Sequence, residues 1–464
     1  MANGLMTRKP INPDTGAGLA KTLGAVGITG MGIGAVIGAG IFVLTGTAAA
    51  RYAGPAIMLS FLLAGIVCGF VGLCYAELAA MLPVSGSAYA YTYVTLGELF
   101  AWLIGWDLIL EYAMGAATVA VGWSSYAVSV LRDVGVVVPP SLTTVVNLPA
   151  ALVVAVLTLL LVSGTSESVR LNTVMVVVKL AVVAAFIGVG AFHVDPAHWR
   201  PFIPAATGEF GHFGLSGILR GAAVVFFAFI GFDAVSTSAQ EARNPQRDMP
   251  IGILGSLVIC TALYVAVAAV LTGLVPYGQL DVASPIAKGV DVIGIAWFGP
   301  LVKVGALAGL TTVILVLLYG QSRIFFAMSE DGLLPALFAR VHPRLQTPFL
   351  SQVTIGCVVA VVAALVPIEV RGELVSFGTL FAFLLVCGAV LYLRRSEPGM
   401  PRPFRAPAVP LVPVCGILFC LLLTAGLPLF TWLRLIGWMA AGLLVYGCYG
   451  RHHSVVRHPS SSRG

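Results

Sequence analysis

The sequence predicts an all-α polytopic membrane protein, and three observations carry that prediction. Of 464 residues, 59% are hydrophobic and 9% are charged, whereas a soluble domain carries charge on about a quarter of its residues. Apolar runs long enough to cross about 30 Å of hydrocarbon recur along the whole chain. Those runs also lack the polar alternation and the length of about ten residues that mark outer-membrane barrel strands. The runs fall at roughly 24–50, 55–82, 98–130, 143–163, 170–193, 213–239, 250–275, 298–328, 350–367, 372–393, 408–425 and 433–450, or about twelve spans.

The first span is too long for a secretory signal, whose apolar region runs about 7–15 residues, so it reads as a permanent helix. It contains GITGMGIGAVIGAGIFVLTG, Gly27 to Gly46, although glycine costs about 1 kcal/mol against alanine inside a helix. A nucleotide-binding loop is excluded, because Ile37 stands where the third glycine of GxGxxG belongs and no βαβ pattern surrounds it. Gly30, Gly34 and Gly38 form a small-xxx-small packing stripe. Packing leaves Gly38-Ala39-Gly40 unexplained, and that trio predicts a break near mid-membrane. Unwound backbone at that depth must line an enclosed or watery cavity. Its freed amides would hold an anion and the preceding carbonyls a cation, so one small zwitterion fits both.

The second span reads as plain helix, and the third carries two acids on one face, Asp107 and Glu111, four residues apart. Glu111 is mid-span, and serves either the substrate's amino end or a proton, or else is a polar contact between helices. The fourth span is unbroken and apolar. The fifth places Lys179 about nine residues in, roughly 13 Å from its inner end. Either its ammonium snorkels to the interface, or it points inward as a fixed cation beside the broken first helix, which would remove the need for sodium. A buried ammonium is also a proton-responsive group. The sixth span, VVFFAFIGFDAVSTSAQEARNPQRD, has Gly231 mid-span and Asp233 just beyond, placed to cap a second half-helix. Phe226, Phe227, Phe229 and Phe232 cluster there, and Phe229 is the expected lid over the substrate. Arg220 lies near the outer end, its role open. Glu77, Glu98, Glu241 and Asp248 sit near inner boundaries and read as solvated or packing residues.

Five spans separate the starts of the two broken helices. An odd-numbered repeat must enter the membrane upside down the second time, so two inverted repeats of five helices are expected, with two helices appended. The expected organisation is a cytoplasmic N-terminal segment at 1–23, a first repeat at 24–193 and a second at 212–393. A cytoplasmic loop at 394–407, two accessory helices at 408–450 and a cytoplasmic tail at 451–464 complete it.

Orientation follows from lysine and arginine. With the N-terminus cytoplasmic, the inner side holds Arg8, Lys9, Lys21, Arg170, Arg243, Arg247, Arg323, Arg340, Arg344, Arg394, Arg395, Arg402, Arg405, Arg451, Arg457 and Arg463. The outer side holds Arg51, Arg132, Arg200, Lys288, Arg371 and Arg434, with Lys303 borderline. Both termini are therefore expected in the cytoplasm and the chain in the cell (inner) membrane. The net charge of +6 reports topology and implies no nucleic-acid partner. The eight cysteines fall within spans without ligand spacing, so no metal, disulfide or cofactor is expected.

Several segments are long enough to carry a resemblance: GIGAVIGAGIFVLTG, YAELAAMLPVSGSAYAYTYVTLGE, GWDLILEYAMGAATVAVGWS, FFAFIGFDAVSTSAQEARNPQRDMP, GQSRIFFAMSEDGLLP and SFGTLFAFLLV. From about Gly24 to the tenth span the chain resembles the amino acid, polyamine and organocation transporter superfamily, and more narrowly its cationic amino acid transporter branch. The resemblance implies the five-plus-five inverted repeat of the LeuT-like fold. It also implies that a substrate carboxylate meets amides at Gly38, Ala39, Gly40 and Ile41. The amino group would meet carbonyls around Val36, Ile37, Phe226 and Phe229, with Ile230 and Gly231 completing the second break. Lys179 matches a fifth-helix lysine that takes the place of sodium in proton-coupled relatives, and Glu111 matches a third-helix acid near the pocket. Lys179, Glu111 and Asp233 are the expected coupling residues. The longer members of the branch have two further C-terminal helices, so their partner subunits are not carried over.

The functional expectation is a secondary active transporter taking up a neutral or cationic L-amino acid with a proton, sodium-independently, by alternating access. The alternative is an amino acid exchanger without net proton movement. An enzyme is disfavoured because loops 240–250 and 329–349 hold no metal cluster or nucleophile-base pair, and nothing suggests a channel's ring of carbonyls or charges. The fold as implied can work as a monomer.

Overall fold

The computed structural model describes residues 7–9, 23–82, 87–163, 165–233, 235, 236, 239, 242–343, 347–366, 368–427 and 429–457. Lys21, Glu241, Arg344 and Arg463 lie outside the described residues. The described chain is helical, its single isolated β-bridge joining Leu23 to Ala242. Seven helices among the described residues are long and apolar enough to cross a membrane, and five shorter apolar helices accompany them.

These helices account for each of the twelve spans. The first comprises α1 (Ala25–Val36) and a stretch of mixed π and α turns at 40–53, here α2. The helical run Gly40–Met81 is 42 residues, about 63 Å at 1.5 Å per residue, which is twice a bilayer core. It turns back at Gly54, φ +60, followed by Pro55, so α3 (Ile57–Met81) is the second span. A short helix α4 (Ser87–Thr95) leads into α5 (Glu98–Asp133), the third. Helices α6 (Leu148–Ser163) and α7 (Thr165–Ala191) are the fourth and fifth. The sixth is α8 (Gly214–Val225) continued by a 3₁₀ turn, Phe226–Phe229. Then come α9 (Pro245–Leu274), a short α10 (Pro285–Ile293), α11 (Phe298–Glu330), α12 (Phe349–Leu365) and α13 (Ile368–Ser396). Helices α14 (Leu411–Ala425) and α15 (Leu429–Val445) close the bundle.

Three early spans pack along the span five places later, α3 on α9, α5 on α11 and α6 on α12, whereas α7 lies on α11 and α9. Exchanged pairs also match, since α1 lies on α9 as α8 lies on α3, and α5 on α13 as α11 on α7. Large apolar side chains left exposed, such as Leu152, Val156 and Leu159 of α6 and Leu418 and Leu421 of α14, suit hydrocarbon as a solvent.

The acids at the helix ends are buried rather than solvated. Glu77, 2% exposed, takes two bonds from Arg394, at 2.9 and 2.8 Å, and the Ala406 amide at 2.8 Å. Glu98, fully buried, accepts from Tyr93, Tyr446 and Ser454 and pairs with Arg457 at 2.8 Å. Asp331 receives Lys9 at 2.7 Å and Tyr89 at 2.8 Å, and its carbonyl takes the Val455 amide. Residues from both ends of the chain are thus fastened to α4 and the start of α5.

Candidate functional site

Helix α1 stops at Val36 because Ile37 turns extended (φ −73, ψ 98). The next turn closes when Ile41 and Phe42 donate to the Gly38 carbonyl, at 3.2 Å each. The amides of Gly38, Ala39 and Gly40 precede that closure, so they are the N-terminal donors of α2. The predicted break is present at the predicted residues.

Lys179 does not snorkel. It is fully buried, and its ammonium donates to the carbonyls of Gly34 and Ile37, the latter at 2.9 Å, and to the Thr312 hydroxyl at 3.0 Å. Three donors meet three acceptors, two of them the carbonyls that the break frees from α1. The position in which a loose cation could be held by these oxygens is filled by a tethered one.

The second break lies against the first. The chain leaves its 3₁₀ turn with Ile230 extended (ψ 138) and Gly231 at φ +106, a conformation glycine adopts freely. A Cβ on Gly231 would also stand 3.0 Å from the Ala35 carbonyl, and one on Gly40 would stand 2.2 Å from the Ala228 Cα. Backbone therefore meets backbone where the two broken spans cross. Asp233 accepts from the Gly231 amide at 3.3 Å, from Tyr112 at 3.0 Å and from Ser87 at 3.2 Å. It caps the break from behind, bonding an amide that precedes it, and ties the break to α4 and α5.

Tyr264 of α9 joins the two breaks directly. Its hydroxyl lies 2.7 Å from both the Val36 and the Ala228 carbonyl. Between these elements is a crevice of about 10 Å³, room for about one water. It is lined by Gly38, Ala39 and Gly40 of the first break, Phe227 and Ile230 of the second, Gly115 and Val119 of α5, and Val313 and Leu317 of α11. Its side-chain lining is apolar throughout.

Of the expected site residues, Val36, Gly38, Ala39, Gly40 and Ile230 line the crevice, Ile37 serves Lys179, and Gly231 packs on Ala35. Ile41 faces a second small cavity with Phe42 and Phe186. Phe226 packs on Phe383 and Phe229 on Tyr264. Phe227 is the aromatic that borders the crevice. Glu111 lies one helical turn from Gly115, 1% exposed, and neither carboxylate oxygen has a donor. The nearby Thr379 hydroxyl spends its proton on the Val375 carbonyl. Arg220 donates to the Gly426 carbonyl and lies over the Tyr52 ring, 5.6 Å from its centroid. Sequence reasoning missed Tyr264 and Thr312; a lone hydroxyl-bearing ring in an apolar span was the available signal for the first. Among the described residues no group of three or more His, Cys, Asp or Glu could hold a metal ion.

The chain matches the family model described as Amino acid permease over residues 23–445. It is 46% identical over 446 residues to the methylthioribose transporter of Bacillus subtilis (strain 168), covering 94% of this chain and 95% of that one. It is likewise 46% identical over 447 residues to the branched-chain amino acid permease BcaP of the same organism, covering 94% of each. A vacuolar cationic amino acid transporter 4 of Arabidopsis thaliana is 40% identical over 399 residues, 82% of this chain and 65% of that protein.

Proposed function

Since the chain belongs to the amino acid permease family, we propose that it takes up an L-amino acid together with a proton, without sodium, across the cell membrane. The observation that carries the reading is the Lys179 ammonium seated on the Gly34 and Ile37 carbonyls and Thr312. A built-in cation there replaces a metal ion and leaves the proton gradient to drive uptake. The two units are residues 24–193 and 212–393, related by inversion, with both termini on the cytoplasmic side.

The substrate's carboxylate meets the α2 amides at Gly38 to Ile41, and its amino group meets carbonyls at the ends of α1 and the 3₁₀ turn, near Val36 and Phe226 to Phe229. Its side chain lies between α5 and α11. The apolar crevice wall of Gly115, Val119, Val313 and Leu317 favours a neutral side chain over a cationic one. A crevice of one water's size admits no amino acid, so binding requires the broken spans to part from α5 and α11, which is the motion alternating access demands.

The test is uptake of radiolabelled L-leucine, L-alanine and L-arginine into liposomes holding the full chain, with and without an inward proton gradient and with sodium or potassium as the bath cation. Gradient-dependent, sodium-indifferent uptake is expected. Uptake indifferent to the gradient but stimulated by internal substrate would establish exchange instead.

A further inference from the structure

We infer that Asp107 is a second proton-carrying residue, passing the coupling proton between Glu111 and the cytoplasmic end of α5; this rests on the proton-coupled reading above. Three observations point to it. Asp107 is fully buried with no donor on either oxygen, and the same holds for both oxygens of Glu111 one helical turn away. At 1.5 Å per residue the two carboxyls are offset by about 6 Å along one face, a span a single water bridges. Gln321 of α11, 2% exposed, donates its amide to the Ile109 carbonyl of α5 and has an orphaned oxygen of its own.

Among the described residues nothing holds the pair as two anions. Asp107 lies against bare backbone of α13, where a Cβ on Gly378 would stand 3.0 Å from its Oδ1. The titratable groups that face Glu111 are Asp233 at the second break, Tyr75 of α3 and Tyr112 of α5, all neutral or negative. The Tyr75 hydroxyl is itself buried without a partner. No described lysine or arginine forms an ion pair with either acid, because neither acid's oxygens have any partner. Two buried carboxylates without cations cannot both ionise at tolerable cost, so protons neutralise at least one.

Lys179 suits that role less well. All three of its hydrogens are engaged, and losing one removes the donor from a carbonyl at the break or from the Thr312 oxygen. It is a fixed cation. The acids have vacant lone pairs and carry the labile proton. At rest the pair holds one proton, on Asp107. In the outward-facing state a second proton forms an O–H bond on Glu111; the Asp107 O–H bond breaks as its proton leaves toward the cytoplasmic end of α5, and the Glu111 O–H bond breaks as its proton passes through a water to the vacated Asp107 oxygen. One proton enters and one leaves, and the pair is again singly protonated.

The experiment compares wild type, Asp107→Asn and Asp107→Glu in liposomes, using labelled L-leucine and L-alanine and an internal pH-sensitive dye. Asp107→Asn is expected to reduce gradient-driven accumulation and dye acidification to the level of protein-free liposomes, while exchange of internal for external substrate continues at the wild-type rate. Asp107→Glu is expected to restore accumulation with a displaced pH profile. Accumulation that persists in Asp107→Asn overturns the inference, as does loss of exchange along with it, which marks a packing role. Should Asp107→Asn fail to fold, an unchanged pH profile in Asp107→Glu overturns it. Wild-type uptake without any proton dependence sinks instead the reading on which the inference rests.

Discussion

Replacing Lys179 with alanine removes the cation seated on the carbonyls of the first break. The ammonium serves the Gly34 and Ile37 carbonyls and the Thr312 hydroxyl, all inside the bundle. Each carbonyl left unsatisfied costs about 1–3 kcal/mol, so the two together cost about 2–6 kcal/mol. Even the lower figure shifts a conformational equilibrium about thirtyfold. The break should collapse or rewind, and amino acid uptake into liposomes should fall to background while the protein still purifies as a folded monodisperse species with a lowered Tm. The same oxygens, once vacated, could take a small cation, so sodium in the bath should raise the Tm of Lys179→Ala and leave wild type unmoved. Undiminished gradient-driven uptake by Lys179→Ala, at wild-type Tm, would refute the reasoning.

Gly40→Ala places a methyl 2.2 Å from the Ala228 Cα, too close for relaxation of a side chain to relieve, so uptake should be lost and Tm lowered; a Tm scan beside the transport assay checks both. Tyr264→Phe leaves the Val36 and Ala228 carbonyls without their shared donor and should cost about 1–3 kcal/mol in stability, read from thermal unfolding in detergent. Arg457→Ala strips the ion pair from fully buried Glu98 and should destabilise the fold by about 3–5 kcal/mol, whereas Arg51→Ala, at an exposed pair with Asp281, should cost no more than about 1 kcal/mol.

The parts of this protein that were legible in its sequence are those where the bilayer makes a local feature expensive. Glycines at 38 and 40 and a lysine nine residues into a span are each costly enough to demand a reason, and both features sit where that cost implied. Asp233 was legible as a cap, but its direction was not, because whether a carboxylate bonds the amide after it or before it depends on backbone angles. Tyr264 and Thr312 were not legible, since a hydroxyl in a helix gives no sign of which distant carbonyl it will reach. Glu98 was half legible, as solvated or packing, for a related reason. A carboxylate at a helix start normally faces water, and its burial here depends on Ser454 and Arg457, more than 350 residues away in sequence. Phe227 and Phe229 stand two residues apart in a 3₁₀ turn, and which of them borders the crevice is below what periodicity resolves.

The Tyr264 hydroxyl owns a single hydrogen and stands equidistant from two oxygens, one on each severed rod. It can satisfy only one of them at any instant. When either rod swings aside, the hydrogen swivels to the oxygen that stays, so the seam can be unfastened from either bank with the loss of no more than half its clasp. A latch of that kind keeps the closed state together while remaining impartial about which way the molecule opens.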